Sequence, residues 1–421
     1  MNIYNDKFVV VGGHKLNGEL VIQNSKNAVL PILAGCVLCD KPITIKNVPN
    51  IMDVQNMFEI LKQLGVSIEY NDKNCYVDCS NINSFTLNQE LCKSIRSSIF
   101  LLGPLLSRNK QAVISYPGGC AIGNRPIDLH LSGLKSLNVK ITEKHGFIVC
   151  DGRNMKAGEV HLDFPSVGAT ENLMMACVKL QGTSIIHNAA KEPEIVDLQN
   201  FINSMGGKIS GAGTSTIMIE GVNKLSSIEY EPISDRIVAG TYLIACAITG
   251  GHIKLDNVIS KHNIALISKL KQAGCDIDIR DNSIELKSSG KLNSSVINTQ
   301  PYPGFPTDLQ SQMLALQTIC TGTGVVIENL FEGRFKICTE LTKMGADISI
   351  HDRVALINGV EKLYGATVTA SDLRGGAALV LAGLKAEGYT TIEDVYHIDR
   401  GYENIEYDLK LLGAEIKRLK Q

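Results

Sequence analysis

"LKQLGVSIE", residues 61–69, closes an apolar helix-like run on a glycine and opens a strand, and the same cadence returns five more times. The other copies are "LKSLNVKIT" (134–142), "INSMGGKIS" (202–210), "LKQAGCDID" (270–278), "LTKMGADIS" (341–349) and "LKLLGAEIK" (409–417). Their fifth residues fall at 65, 138, 206, 274, 345 and 413, so the period stays between 68 and 73 residues. A period that regular along a whole chain marks an architecture built from repeats. The fifth residue is glycine in every copy except Asn138, which suits a left-handed position just past a helix.

Each copy reads the same way outward from that motif. An apolar run such as "TENLMMACVKL" predicts a first helix, followed by a turn and a short strand such as "SIIHNA". A second helix ends in the repeated motif, and two strands such as "KISGAG" and "STIMIEG" follow. The unit is βαβ-like, so the fold class is α/β, with six repeats of about 70 residues arranged as two domains of three. The hinge is expected near "YEPISD" (230–235). Residues 22–233 would then form the first domain, inserted into a second, discontinuous domain made of 1–21 and 234–421. The strand before Gln23 would complete the last repeat.

Composition excludes several classes. The chain has 421 residues, 44% hydrophobic and 20% charged, with a formal net charge of −2. That balance offers no global basic field for nucleic acid or a membrane surface. The start "MNIYNDKFVV" lacks a signal-peptide core, and the apolar run 28–39 is too short to span a bilayer. The expectation is a cytoplasmic protein. Twelve scattered cysteines should then be mostly free thiols. Cys36 and Cys39, a CxxC inside an apolar helical run, are expected to pack in the core, and the nine histidines suggest no metal site. "GAGTST" (211–216) lacks the third glycine of a dinucleotide loop and sits between two strands.

The eleven arginines are placed more selectively than the lysines. Arg125, Arg334 and Arg400 fall where a strand should give way to the second helix of a repeat. Arg96, Arg236 and Arg374, with Lys26 and Asp308, fall at the matching starts of first helices. Helix N-termini favour anions, and arginine adds a planar fork for phosphate or carboxylate. Equivalent placement in both domains predicts a shared anion-binding cleft and a substrate with several negative charges. His397, in "YHIDRGYE", reads as an orienting or packing residue beside one of these arginines. Cys120, in "PGGCAIGNRPIDLH" (117–130), lies on a glycine-flanked loop five residues before Arg125.

The pieces "NSKNAVLPIL", "PGGCAIGNRPIDLH", "DFPSVGATEN", "FPTDLQ", "FEGRF", "SDLRGGAALV" and "HIDRGYE" together resemble the enolpyruvyltransferase family over essentially the whole chain. The resemblance implies a two-domain inside-out α/β barrel with three repeats per domain. It also implies transfer of the enolpyruvyl group of phosphoenolpyruvate to the 3-hydroxyl of UDP-N-acetylglucosamine, releasing phosphate, as the first committed step of peptidoglycan synthesis. By the match, Lys26, Asn27, Arg125, Arg334, Arg374 and Arg400 would bind phosphoenolpyruvate. Arg96, Arg125, Pro126, Ile127, Asp128, Leu129, Ser166, Val167, Gly168, Asp308 and Leu330 would contact the UDP-sugar. Phe164 stands where some members carry a lysine, which removes one contact to the UDP part. No cofactor, metal, nucleic acid, membrane or obligate protein partner is implied; the partners are the two small-molecule substrates.

The same resemblance gives Cys120, Asp308, Lys26 and Arg400 the catalytic roles. Addition of an alcohol across the enol double bond needs a proton for the methylene carbon and a base for the hydroxyl. Cys120 would be the acid, and the site of covalent modification by a phosphoenolpyruvate-like epoxide such as fosfomycin; Asp308 would be the base. Nearby arginines favour a thiolate, and bound anionic substrate would restore the thiol. Two other readings stay open: the shikimate-pathway enolpyruvyltransferase, which lacks such a loop cysteine, and a non-catalytic UDP-sugar sensor.

Overall fold

In a computed structural model of the chain, which describes residues 6–118, 122 and 127–420, the repeats take one common form. A short strand enters each repeat and pairs in parallel with the strand after the first helix. That strand pairs antiparallel with the inner strand of a hairpin, whose other strand forms the edge. In the third repeat these are Glu159–His161, Thr183–His187, Thr216–Glu220 and Lys208–Ser210. In the fifth they are Val296–Asn298, Thr323–Ile327, Val354–Asn358 and Asp347–His351. In the second, the entering strand is reduced to a single parallel bridge, Thr86 to Val113.

The repeated motif takes its expected backbone. Gly65, Gly206, Gly274, Gly345 and Gly413 have φ of 94°, 102°, 111°, 92° and 95°, and Asn138 has 67°. All six close the second helix in the left-handed region, where a β-branched residue would be strained.

The described chain separates into two compact units, one holding 24–118 and 127–233, the other 6–23, 122 and 234–420. Each has one hydrophobic core. Within the second unit, two strands precede Gln23, and they go to different repeats. Lys7–Val11 lies between Tyr389–Glu393 and Glu415–Leu419, taking the inner hairpin position that the last repeat lacks after residue 419. Leu16–Val21 instead enters the fourth repeat, parallel to Gly251–Asp256. The sequence reading assigned the leading strand to the last repeat; that holds for Lys7–Val11, and Leu16–Val21 corrects it. In the other unit Glu229–Tyr230 enters the first repeat, parallel to Ile43–Ile45.

Helices occupy the middle of each unit and sheets the outside, which is the inside-out barrel. The helix Arg236–Thr249 buries all 14 of its residues and Gln310–Gln317 all 8. Leu373–Lys385 buries every residue except Lys385, and the three helices pack on one another. Because these helices are enclosed on all sides, even the polar residues of Gln310–Gln317 are buried, Gln310, Ser311, Gln312 and Gln317 among them. The strands alternate: Thr216–Glu220 reads exposed, buried, exposed, buried, exposed. One sheet face is solvated and the other covers the helices.

The eleven described cysteines are free and buried, Cys36 and Cys39 among them. No described helix is long and apolar enough to cross a membrane, and no described cluster of His, Cys, Asp or Glu could hold a metal ion. "GAGTST" turns between the strands Lys208–Ser210 and Thr216–Glu220, as expected.

Candidate active site

In the unit containing 234–420, three first helices start side by side, and their first turns carry the charged residues. Asp372 caps Leu373–Lys385: its Oδ1 accepts the Arg374 and Gly375 N–H groups at 3.0 and 3.1 Å. Asp235 caps Arg236–Thr249 in the same manner, accepting from Ile237 at 2.8 Å and Val238 at 2.9 Å. Such caps satisfy the free amides of a first turn and fix the direction of the arginine beside them.

Asp308, in the 3-10 turn Thr307–Leu309, sits between two arginines. Arg334 Nη2 donates to its Oδ1 at 2.6 Å, and Arg374 Nη2 donates to its Oδ2 at 3.2 Å. Arg334 Nη1 also reaches Asp372 Oδ1 at 3.5 Å. Both arginines are 3% exposed. Burial works against the Arg374 charge, but Asp308, Tyr402 and Asp235 outweigh it and hold its pKa above the ordinary guanidinium value. Arg334 Nε and Arg374 Nη1 are buried donors with no acceptor among the described residues. Buried guanidinium N–H groups without acceptors are what an anionic ligand would satisfy.

A buried polar network supports this trio. The Tyr402 hydroxyl is 2.8 Å from Thr241 Oγ1, and Gln312 Nε2 donates to both Thr241 Oγ1 and the Asp308 carbonyl at 3.1 Å. Arg374 lies 6.0 Å from the Tyr402 ring centre. Glu328, fully buried, accepts the Leu330 N–H at 2.9 Å and the Thr307 hydroxyl at 3.0 Å, so Leu330 is held next to the Asp308 turn.

Arg400 lies between the strand Tyr389–Glu393 and the second helix Ile405–Leu411, directly after the four-residue helix Tyr396–Asp399. It is 8% exposed. His397 stacks on Tyr396 with ring centres 4.1 Å apart. Burial and the Arg400 charge lower its pKa, so it stays neutral, in keeping with a packing role.

In the other unit Lys26 is the first residue of the helix Lys26–Gly35, and its Nζ lies 2.8 Å from Asp53 Oδ2. Arg96, half-buried, opens the 3-10 segment Arg96–Leu101. Ser166 caps Val167–Cys177, accepting the Ala169 N–H at 3.3 Å. A Cβ on Gly168 would meet His130 at 3.2 Å and Phe100 at 3.3 Å. His130 belongs to the helix Asp128–Ser136, preceded by the buried Ile127. The structure therefore brings the start of the helix Asp128–Ser136 against the start of Val167–Cys177 through His130 and Gly168. Asn27 is half-buried at the same helix start as Lys26, and Phe164 is 45% exposed. Cys120, Arg125 and Pro126 lie outside the described residues.

Sequence reasoning missed Asp53, Asp372 and the Tyr402–Thr241–Gln312 network. Asp372 carried a legible signal, an aspartate just before an arginine-bearing helix, as Asp235 does. Asp53 and the network are tertiary partners with no local signature.

A family profile described as "EPSP synthase (3-phosphoshikimate 1-carboxyvinyltransferase)" matches residues 10–409. A relative from Caldanaerobacter subterraneus subsp. tengcongensis, named UDP-N-acetylglucosamine 1-carboxyvinyltransferase 2, is 50% identical over 98% of this chain and 99% of its own. One from Coxiella burnetii, named UDP-N-acetylglucosamine 1-carboxyvinyltransferase, is 48% identical over 98% of this chain and 96% of its own. Among solved structures, the enolpyruvyl transferase NikO from Streptomyces tendae aligns with a TM-score of 0.89 at 22% identity, covering 99% of both chains. An EPSP synthase from Acinetobacter baumannii aligns with a TM-score of 0.74 at 16% identity, covering 99% of this chain and all of its own. At those identities the structural likeness speaks for the fold.

Proposed function

The chain belongs to the EPSP synthase family of enolpyruvyltransferases, and from that premise we propose that it transfers the enolpyruvyl group of phosphoenolpyruvate to the 3-hydroxyl of UDP-N-acetylglucosamine. The names of relatives at 48–50% identity over nearly the full length favour this acceptor over shikimate 3-phosphate. The observation that carries the reading is Asp308 held between Arg334 and Arg374, each of which keeps a buried donor unmatched. A carboxylate base and an anion clamp are what the addition requires.

In this reading Lys26, Arg125, Arg334, Arg374 and Arg400 bind the phosphate and carboxylate of phosphoenolpyruvate, with Asn27 beside them. Residues 127–129 and 166–168, with Arg96 and Leu330, position the UDP-sugar. Asp308 accepts the proton of the attacking hydroxyl while Cys120 protonates the methylene carbon, giving a tetrahedral adduct. Return of a methyl proton to the Cys120 thiolate and cleavage of the bond between the former enol carbon and the phosphate oxygen then release phosphate and leave the enolpyruvyl ether. The cationic cradle balances charge that builds on the phosphate. The step would serve peptidoglycan precursor synthesis in the cytoplasm.

A phosphate-release assay with phosphoenolpyruvate and either acceptor tests it. Release with UDP-N-acetylglucosamine alone supports the reading. Release with shikimate 3-phosphate instead moves the chain to the other branch, and tight UDP-sugar binding without release makes it a sensor.

A further inference from the structure

Arg400 sits between two anchored residues. On one side Gln23 holds the segment after it: Gln23 Nε2 donates to the Gly401 carbonyl at 3.1 Å, and Gln23 Oε1 accepts the Glu403 N–H at 3.0 Å. On the other side Asp399 is gripped by Arg418, from the last strand, Glu415–Leu419. Arg418 Nη2 donates to Asp399 Oδ1 at 2.6 Å and Nη1 to Oδ2 at 2.9 Å, a two-point fork. Its Nε donates to Glu406 Oε1 at 2.7 Å, and Nη1 also reaches Asp6 Oδ2 at 3.3 Å. The guanidinium lies 4.7 Å from the Phe8 ring centre. One cation thus serves three carboxylates, and the ring packs against its face.

We propose that Arg418 is a positioning residue for phosphoenolpyruvate binding: it commits the Asp399 carboxylate to the far side of the turn, so that Asp399 does not compete with substrate phosphate for Arg400. This rests on the reading of Arg400 as a phosphate ligand. Asp399 is the immediate neighbour of Arg400 and ends the same four-residue helix. Released from Arg418, a carboxylate one residue from that guanidinium would be free to turn and pair with it, or to repel the incoming phosphate. With both oxygens engaged by Arg418, Asp399 does neither, and the bidentate fork also fixes the end of the helix from which Arg400 extends. A lysine at 418 would keep the charge but lose the fork.

The test is steady-state kinetics on Arg418→Gln, Asp399→Asn and the double variant, in the full chain with both substrates. Arg418→Gln should raise KM for phosphoenolpyruvate by roughly tenfold or more, with kcat and the KM for UDP-sugar changed less than about threefold. Asp399→Asn alone should stay near wild type, because the competitor is gone. The double variant should return KM for phosphoenolpyruvate to within about threefold of wild type. If Arg418→Gln does not fold, Arg418→Lys with and without Asp399→Asn carries the same comparison, with the same direction expected. An unchanged KM in a folded Arg418 variant, or no rescue by Asp399→Asn, overturns the proposal and leaves Arg418 a purely structural ion pair. Failure of the wild-type chain to turn over phosphoenolpyruvate would instead overturn the functional reading beneath it.

Discussion

Arg334 Nη2 and Asp308 Oδ1 are 2.6 Å apart, and the arginine is almost wholly buried while the aspartate side chain remains 26% exposed. The pair is therefore open at the carboxylate and closed at the cation, the arrangement of a group fixed from behind and presented forward. Asp308→Asn can accept from only one of the two arginines, because its amide nitrogen is a donor. It should lower kcat by about 10²–10⁴-fold, the range for losing a positioned base. Arg374→Ala should mainly raise KM for phosphoenolpyruvate, by about 1.5–3 kcal/mol of lost charge-assisted bonding. Rate measurements across substrate concentration separate the two, and a wild-type KM in Arg374→Ala would remove it from the clamp.

Lys26 and Asp53 form a pair 2.8 Å apart with side-chain exposures of 11% and 3%. Removing the lysine alone leaves a carboxylate in a nearly dry site, which costs about 3–5 kcal/mol when a buried pair is broken from one side. Lys26→Met should therefore be less stable than Lys26→Met combined with Asp53→Asn. Thermal unfolding of the single and double variants checks it; equal melting temperatures would mean the pair is solvated. Both should be inactive if Lys26 holds substrate.

Asp197 links the second helix of the third repeat to the strand Glu229–Tyr230 that returns to the first repeat. It accepts the Tyr230 hydroxyl at 2.6 Å and the Ile233 N–H at 3.1 Å. Burial pushes its pKa up from the ordinary 3.8 to about 6, outweighing the hydrogen bonds that lower it. A carboxyl raised on folding binds its proton more tightly in the folded state. Its contribution is thus fully present below about pH 4 and is lost as pH rises through about 6. Asp197→Asn, which cannot ionise, should flatten the fall in melting temperature between pH 4 and 7. An identical pH profile for both proteins would show that Asp197 does not titrate there.

Much of this architecture was legible because each repeat carries its own punctuation. Gly65 and its equivalents take the left-handed backbone that a helix-to-strand turn requires, and that requirement is local. Lys26, Arg96 and Arg236 open their helices because helix starts are marked by local polarity and by the apolar run that follows. The path of Leu16–Val21 was not legible. Its partner Gly251–Asp256 lies more than two hundred residues away, and two entering strands of similar character precede the first helix. The four-residue helix Tyr396–Asp399 before Arg400 was not legible either, because it is too short to show a period. Asp308 was found as a charge at a helix start, but its partners Arg334, 26 residues on in the same repeat, and Arg374, from the next, are joined to it only by the fold.

The last prediction concerns Cys120, the one cysteine outside the described residues. The eleven others are buried. Burial pushes Cys75, Cys79, Cys150, Cys177, Cys246, Cys320 and Cys338 up to about 12, and Cys275 to about 11. Cys36 is also held well above the ordinary thiol value, by burial first and then by the neighbouring thiols Cys79, Cys75 and Cys39. The thiolate is the nucleophile, so at pH 8 a thiol with a pKa near 12 presents only about one reactive molecule in ten thousand. In the sequence Cys120 instead follows two glycines and precedes an arginine by five residues. An epoxide phosphonate such as fosfomycin should therefore label Cys120 alone, the thiolate opening the epoxide to form a thioether. Cys120→Asp should resist labelling, since a carboxylate cannot form that bond, yet keep useful turnover, because a carboxylic acid in a dry site can still donate a proton. Cys120→Ala should lose about 10²–10⁴-fold in kcat. Peptide mass spectrometry after treatment decides between the outcomes. Label on Cys36, Cys92 or Cys275 with Cys120 untouched would mean that Cys120 is not the reactive thiol, and the acid would have to be sought elsewhere.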